Sequence, residues 1–320
     1  IKRTIFDHPE FTAYARQVTD TFHAWQADTV PRLQAIQIGD RPKPLIEQLS
    51  NDLLHAFEPL PLIDAYNIYQ HLMTYWTETM QDDVYVLVAD GWQAGRTLRL
   101  LIKVEKKKGE KTYTEAHDFE LDKKHYKADL IPTRLVIARY LAAEQQAVDA
   151  LVAELATVEQ TLSELEEEHS GEDGLLAEVT DDKSNHIVAK KLKDRLKVIA
   201  NSEDDAEEFA LLTRIQGLMD EKTVLKKKKK AAEDALYTAL IAQYAALSED
   251  EIKQLLIEDK WMAALEAATR SELDRVSQAL TGRVKLLAER YATPLPEIEA
   301  RVAESHRKVQ DLWRRMGYSW

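Results

Sequence analysis

Three residues have the types and spacing of a metal-dependent nuclease centre. Asp90 closes an apolar run, and Glu105 with Lys107 forms an acid-x-Lys unit further on. Two carboxylates and a lysine on neighbouring strand ends can hold a magnesium ion and activate a water upon it. The pattern is loose, and the same residues fit a charged hairpin end beside a solvated Lys106-Lys107-Lys108 run. Asp82-Asp83 could also bind a cation, although adjacent acids ahead of a strand usually serve as loop or capping residues. The 9 His are scattered without HExxH spacing, so no zinc site is expected. His71, set among Tyr69 and Tyr75, reads as a packed helical histidine rather than a base. Neither a GxSxG elbow, nor a Walker lysine loop, nor a GxGxxG following a strand occurs. Cysteine is absent, which excludes disulfides and thiolate metal ligation.

Charge narrows the field further. With 43 Lys and Arg against 56 Asp and Glu, the net charge of -13 argues against the whole surface lying on nucleic acid. A local basic patch stays open, and its members are Lys226, Lys227, Lys228, Lys229 and Lys230. On a helix these five charges spread around the circumference, so one face can touch phosphate while the others are solvated. The alternative is an ordinary solvated helix pairing with acids such as Glu166, Glu167 and Glu168. A second contact candidate is the C-terminal tail, where Trp313, Tyr318 and Trp320 accompany Arg314 and Arg315. Exposed aromatics beside Arg are enriched at interfaces. Such a tail could equally fold back on its own core.

The elements that position these groups are mostly helices. Only 9 Gly and 9 Pro interrupt the chain, and Ala, Leu, Glu and Lys abound. Residues 1–131 read as a small mixed α/β domain. Asp7 can cap a helix with Pro9 in its first turn, and Phe11, Ala15, Val18, Phe22 and Trp25 share one face. A second helix carries Leu45, Leu49, Leu53 and Phe57, and Asp64 opens a third. Val84 to Val88 reads as a strand, with Thr97 to Val104 as its partner across Gly91 and Gly95. Residues 132–250 read as a helical coiled-coil arm. Its first helix is expected to run unbroken from Pro132 to His169, with a heptad seam of Val148, Leu151, Leu155, Val158, Leu162 and Leu165. After a break at Ser170 to Gly174, a second long helix runs from about Ser202 to Leu247. The two fold back antiparallel, giving an arm of roughly 50 Å at 1.5 Å per residue. Residues 251–320 form a C-terminal helical segment, in which Asp259 could cap the helix from Trp261 to Ala292. The fold class expected is therefore mainly α.

Several stretches carry a resemblance. Leu62-Ile63-Asp64-Ala65-Tyr66-Asn67-Ile68-Tyr69-Gln70-His71-Leu72-Met73, then Tyr75-Trp76 and Glu78 to Asp83, resemble the C-terminal half of the M (modification) subunit of type I restriction-modification systems. Asp259-Lys260-Trp261, Leu273 to Tyr291 and Pro294-Leu295-Pro296 are similar to that family too, so the resemblance spans essentially the whole chain. It implies a parent enzyme that methylates adenine N6 in double-stranded DNA with S-adenosylmethionine, together with a specificity subunit and a restriction subunit. The family's catalytic Asn-Pro-Pro-Tyr/Phe segment and glycine-rich cofactor loop are absent here, so the resemblance implies no catalytic residue and no cofactor within this fragment. The chain begins at Ile1 rather than Met, so a piece of a longer protein is expected. The family's helical tail docks on helical spacers of the specificity subunit. The heptad seam and the tail aromatics are the corresponding partner-binding candidates. A magnesium-dependent nuclease and a purely structural coiled-coil spacer are the competing expectations. The apolar runs are too short to cross a bilayer and no signal-peptide pattern opens the chain, so a cytoplasmic location is expected.

Overall fold

The computed structural model describes residues 4, 7–102, 104–106, 110–112, 115–169, 174–181, 186–200 and 205–318. The chain is mainly helical, as expected, and forms two compact units. One comprises residues 1–91 with 257–320, the other residues 92–256. This division departs from the expected boundary at residue 131. The N-terminal helices share their core with a segment far along the chain rather than with the sheet that follows them.

In the first unit, α1 (Pro9–Gln34) buries Phe11, Val18, Phe22, Trp25, Thr29 and Leu33, a stripe at helical spacing. Proline stands in its first turn as anticipated, but His8 is the N-cap residue and provides no side-chain cap. Helix α2 (Pro42–Phe57) presents Ile46, Leu49, Leu53 and Phe57 to the same core. Helix α3 (Ala65–Tyr75) is capped by the Asp64 carboxylate, which accepts from the Tyr66 N–H at 2.9 Å. It continues through a π-helical turn, Trp76–Met80, into α4 (Gln81–Asp90).

Helix α4 overturns the strand expected at Val84 to Val88. Met80, Val84 and Leu87 are fully buried while Tyr85 is exposed, so burial follows steps of four and three instead of alternating. The β-branched residues favour a strand only locally. Continuity with α3 and a core waiting on one side outweigh that preference. Gly91, at φ 77, ends the helix, and its N–H still bonds back to Leu87.

The second unit opens with a 3-10 turn, Trp92–Arg96, followed by β1 (Arg99–Leu100), β2 (Val104–Lys106), β3 (Glu110–Thr112), β4 (Phe119–Leu121) and β5 (Lys124–Lys127). With Val84 to Val88 helical, β1 finds another partner: Arg99 faces Lys127 and Leu100 faces Tyr126 in a three-stranded antiparallel sheet ordered β1-β5-β4. β2 and β3 make a separate two-stranded ribbon.

The expected unbroken helix from Pro132 is instead two. α5 (Thr133–Tyr140) stops at Leu141, whose φ of -128 and ψ of 29 leave the helical region, and α6 (Ala142–His169) follows at once. No proline or glycine marks that break. Leu141 is itself buried, and Tyr140 donates its hydroxyl to Glu251 at 2.9 Å. After α7 (Ala189–Ile199) comes α8 (Ala206–Ala246), 41 residues long and therefore about 60 Å. The capping box of Ser248 and Glu251 starts α9 (Glu249–Lys253). A nine-residue π segment, Gln254–Met262, then carries the chain directly into α10 (Ala263–Arg290). Asp259 thus lies inside a continuous helical run and does not cap a new one. α11 (Leu295–Arg315) follows Pro294.

Candidate protein interface

The arm is antiparallel, as expected of two long helices joined by a turn-rich connector: Tyr244 near the end of α8 donates to the Ile131 carbonyl ahead of α5 at 2.6 Å. Glu159 on α6 pairs with Lys222 at 3.0 Å and Lys226 at 3.3 Å on α8, while further along α6 Glu166 approaches the α7 end, accepting from the Ile187 N–H at 3.1 Å. Val158, Leu162 and Leu165 join Leu176, Val179, Leu192, Ile199, Leu212, Ile215 and Leu225 in one buried cluster, with Leu151 and Leu155 packed against it. Val148 is buried as well. The seam proposed for partner binding is therefore consumed within the arm. This corrects its assignment as a docking face: a heptad pattern identifies an apolar stripe, and here the second long helix of the same chain covers it. Arg195 secures α7 to the start of α8 by a two-pronged bond to Glu208, at 2.7 and 2.8 Å.

The lysine run lies on α8 and is divided by its surroundings. Lys226 pairs across the arm with Glu159, Lys229 with Glu233 and Lys230 with Asp234. The acid across the arm is thus Glu159, about two helical turns or more from the expected Glu166 to Glu168. Lys227 and Lys228 are exposed and make no ion pair among the described residues.

The nuclease constellation is not assembled in the expected form. Asp90 ends a helix, not a strand, so the hairpin that was to bring it beside Glu105 does not exist. Glu105 sits on β2, opposite Lys111, and Lys107 lies outside the described residues. Asp83 is not a free cation ligand either. One of its carboxylate oxygens accepts from Lys260 Nζ at 2.6 Å and from Trp261 Nε1 at 2.8 Å, with both charged side chains nearly removed from solvent. Burial pushes the Asp83 carboxyl above its ordinary range, against the pull of the ammonium. Tyr75 donates to the Lys260 carbonyl at 3.3 Å. His71 is likewise structural: it contacts Glu272 at 2.9 Å, and Arg275 donates to the other oxygen of that carboxylate at 2.7 Å. Burial raises the Glu272 carboxyl, but the bonds from His71 and Arg275 outweigh it and hold the group below its usual value. The segments 62–83 and 259–291 are thereby joined to each other inside one unit.

The tail is different. α11 has no buried residue in its 21 positions. Leu295, Ile298, Val302, Val309, Leu312 and Met316, with Ser305 among them, recur in steps of three and four, a heptad seam facing solvent. Val302 is 62% exposed and Leu312 56%, and Trp313 and Tyr318 flank the stripe at 43% and 63%. Trp320 lies outside the described residues. The end of α10 continues in kind, with Val284, Leu287 and Tyr291 exposed. Immediately before Val302, Val309 and Met316 stand Arg301, Lys308 and Arg315, so one flank of the seam is basic from Arg301 onward, with Lys308 also paired to Glu304 at 2.8 Å. Reading the sequence for aromatics beside Arg found Trp313 and Tyr318 but missed this longer stripe. The same three-four counting that revealed the arm would have found it.

Such a surface can bury a partner helix. Pairing with an antiparallel copy of itself would set basic flank against basic flank, whereas an amphipathic helix with acidic flanks is complementary. Compared with known proteins, the chain matches no family model, no curated protein and no solved structure.

Proposed function

We propose that the chain is an assembly element of the M subunit of a type I restriction-modification complex, non-catalytic in itself, which docks through α11 on an acid-flanked helix of the specificity subunit. The observation that carries this reading is the exposed heptad seam of α11, a long apolar stripe that nothing within the chain covers among the described residues. The sequence resemblance supplies the partner's identity. On this reading the S-adenosylmethionine site belongs to the parent protein, the restriction subunit joins the complete assembly on double-stranded DNA, and the work is done in the cytoplasm. No helix among the described residues is long and apolar enough to cross a membrane.

The test is co-purification with the specificity subunit, followed by size-exclusion chromatography with light scattering. The unaltered chain is expected to form a stable complex. Val302→Asp with Val309→Asp removes two apolar anchors worth about 1.5–3 kcal/mol each, so affinity should fall about 100-fold or more. Undiminished binding by this double variant would refute docking through α11. Failure of the unaltered chain to bind would favour a spacer.

DNA contact through the lysine run, on the same reading, involves the two cations free to leave the arm. Lys227→Ala with Lys228→Ala should reduce the slope of log K against log salt by about 1.8, from 0.9 per phosphate neutralised. An unchanged slope, measured on the assembled complex, would remove this face of α8 from the DNA contact.

A further inference from the structure

The β4–β5 hairpin brings together three side chains that the sequence holds apart. Asp122 and Lys123, at φ 50 and 61, form the two-residue loop. Both central residues are left-handed, which suits the right-handed twist of the strands and sets the register. Leu121 consequently faces Lys124, Glu120 faces His125 and Phe119 faces Tyr126. The hairpin is anchored on its inner side, where Phe119 stacks between Tyr126 and Tyr237 of α8 at centroid distances of 5.0 and 4.8 Å. Glu120 and His125 occupy an adjoining cross-strand pair, and His125 Nε2 lies 3.3 Å from a Glu120 carboxylate oxygen. His117, from the segment entering β4, places its ring 4.1 Å from that of His125.

The donor atoms of His117, Glu120 and His125 all lie within 4.8 Å of one another. With zinc bonds of about 2.0–2.1 Å, two ligands of a tetrahedral ion stand about 3.3 Å apart. The His125–Glu120 separation of 3.3 Å already equals that edge. Both Glu120 and His117 are exposed, so their side chains can close the remaining distances by rotation, whereas His125 is held by the sheet. Two imidazoles with one carboxylate are borderline donors, suited to zinc and its neighbours and unsuited to magnesium or calcium.

The geometry points to a divalent transition-metal site formed by His117, Glu120 and His125, with zinc as the ion it fits and a water in the fourth position. The ion would tie the segment 115–118 to the hairpin and so brace the three-stranded sheet. This site is independent of the docking surface and would stand whether or not α11 binds a partner.

The experiment is a zinc titration of the full chain, without a polyhistidine tag and after dialysis against chelator, read by calorimetry and by thermal unfolding. One equivalent is expected to bind saturably and to raise the Tm. His117→Ala should weaken that binding at least about tenfold and abolish the rise, with the apo Tm unchanged because the side chain is exposed. Glu120→Gln should act in the same direction, and His186→Ala, distant on the arm, should leave binding intact. Absence of saturable binding at one equivalent, or binding that survives His117→Ala together with Glu120→Gln, would overturn the proposal.

Discussion

Replacing Lys260 with Met is expected to destabilise the chain by about 3–5 kcal/mol, the loss typical of removing one partner from a buried ion pair. The cost comes from what is left behind. Asp83 is buried, its counter-charge is gone, and among the described residues only the Trp261 indole N–H still donates to it. Burial already lifts the Asp83 carboxyl above its ordinary range, and the Lys260 ammonium is the main force opposing that lift. Without it the folded-state value rises further above the unfolded one. The neutral carboxyl is then the form the fold accepts, so the deficit should be smallest in acid, below the unfolded value of about 4. It should grow as pH rises through the elevated folded value. Removing both charges with Asp83→Leu and Lys260→Met should recover most of the stability, because the Coulombic gain of a buried pair hardly exceeds its desolvation cost. Urea unfolding followed by tryptophan fluorescence measures all three variants. A loss below about 1 kcal/mol for Lys260→Met, the range of exposed pairs, would contradict this account.

Leu162→Asp should unfold the arm. Leu162 belongs to the cluster formed by α6, α7 and α8, where a carboxylate replaces an apolar contact, and the cations beside it, Lys222 and Lys226, are already paired with Glu159. Lost burial plus desolvation of the new polar group amounts to about 3–4 kcal/mol. Helical circular dichroism and resistance to proteolysis should both fall. Val302→Asp, on the exposed face of α11, should leave both unchanged while weakening partner binding about tenfold or more. The two variants separate folding from docking: a seam that stabilises its own chain and a seam that waits for another give opposite patterns. If Leu162→Asp kept full helicity, the arm's seam would not be the internal core described.

Much of the architecture was legible in periodicity. The stripe from Phe11 to Trp25, the cap at Asp64 and the two long arm helices all follow from local rules of helix formation. Where local preference and context disagreed, context prevailed. Val84 to Val88 has the composition of a strand, yet the preceding helix delivers it to a core that accepts residues in steps of four and three. The division of the chain was also hidden. Residues 1–91 close around a segment from residue 257 onward, and the Asp83–Lys260 pair that binds them is separated by 177 positions in sequence.

The candidate sites show the same limit more sharply. Heptad spacing identified the apolar face of α6 and the folded-back arm, but not that packing against α8 would use up the seam also offered to a partner; equal spacing on α11 marks a face left open. His117 and His125 have no metal-ligand spacing in the sequence, since a left-handed two-residue turn and the register it imposes create their meeting with Glu120. A side-chain pattern along one helix or strand records which residues share a face, because backbone geometry alone sets that. Whether the face is buried, exposed or joined to another depends on a second surface arriving from elsewhere in the chain, and only the tertiary structure holds that information.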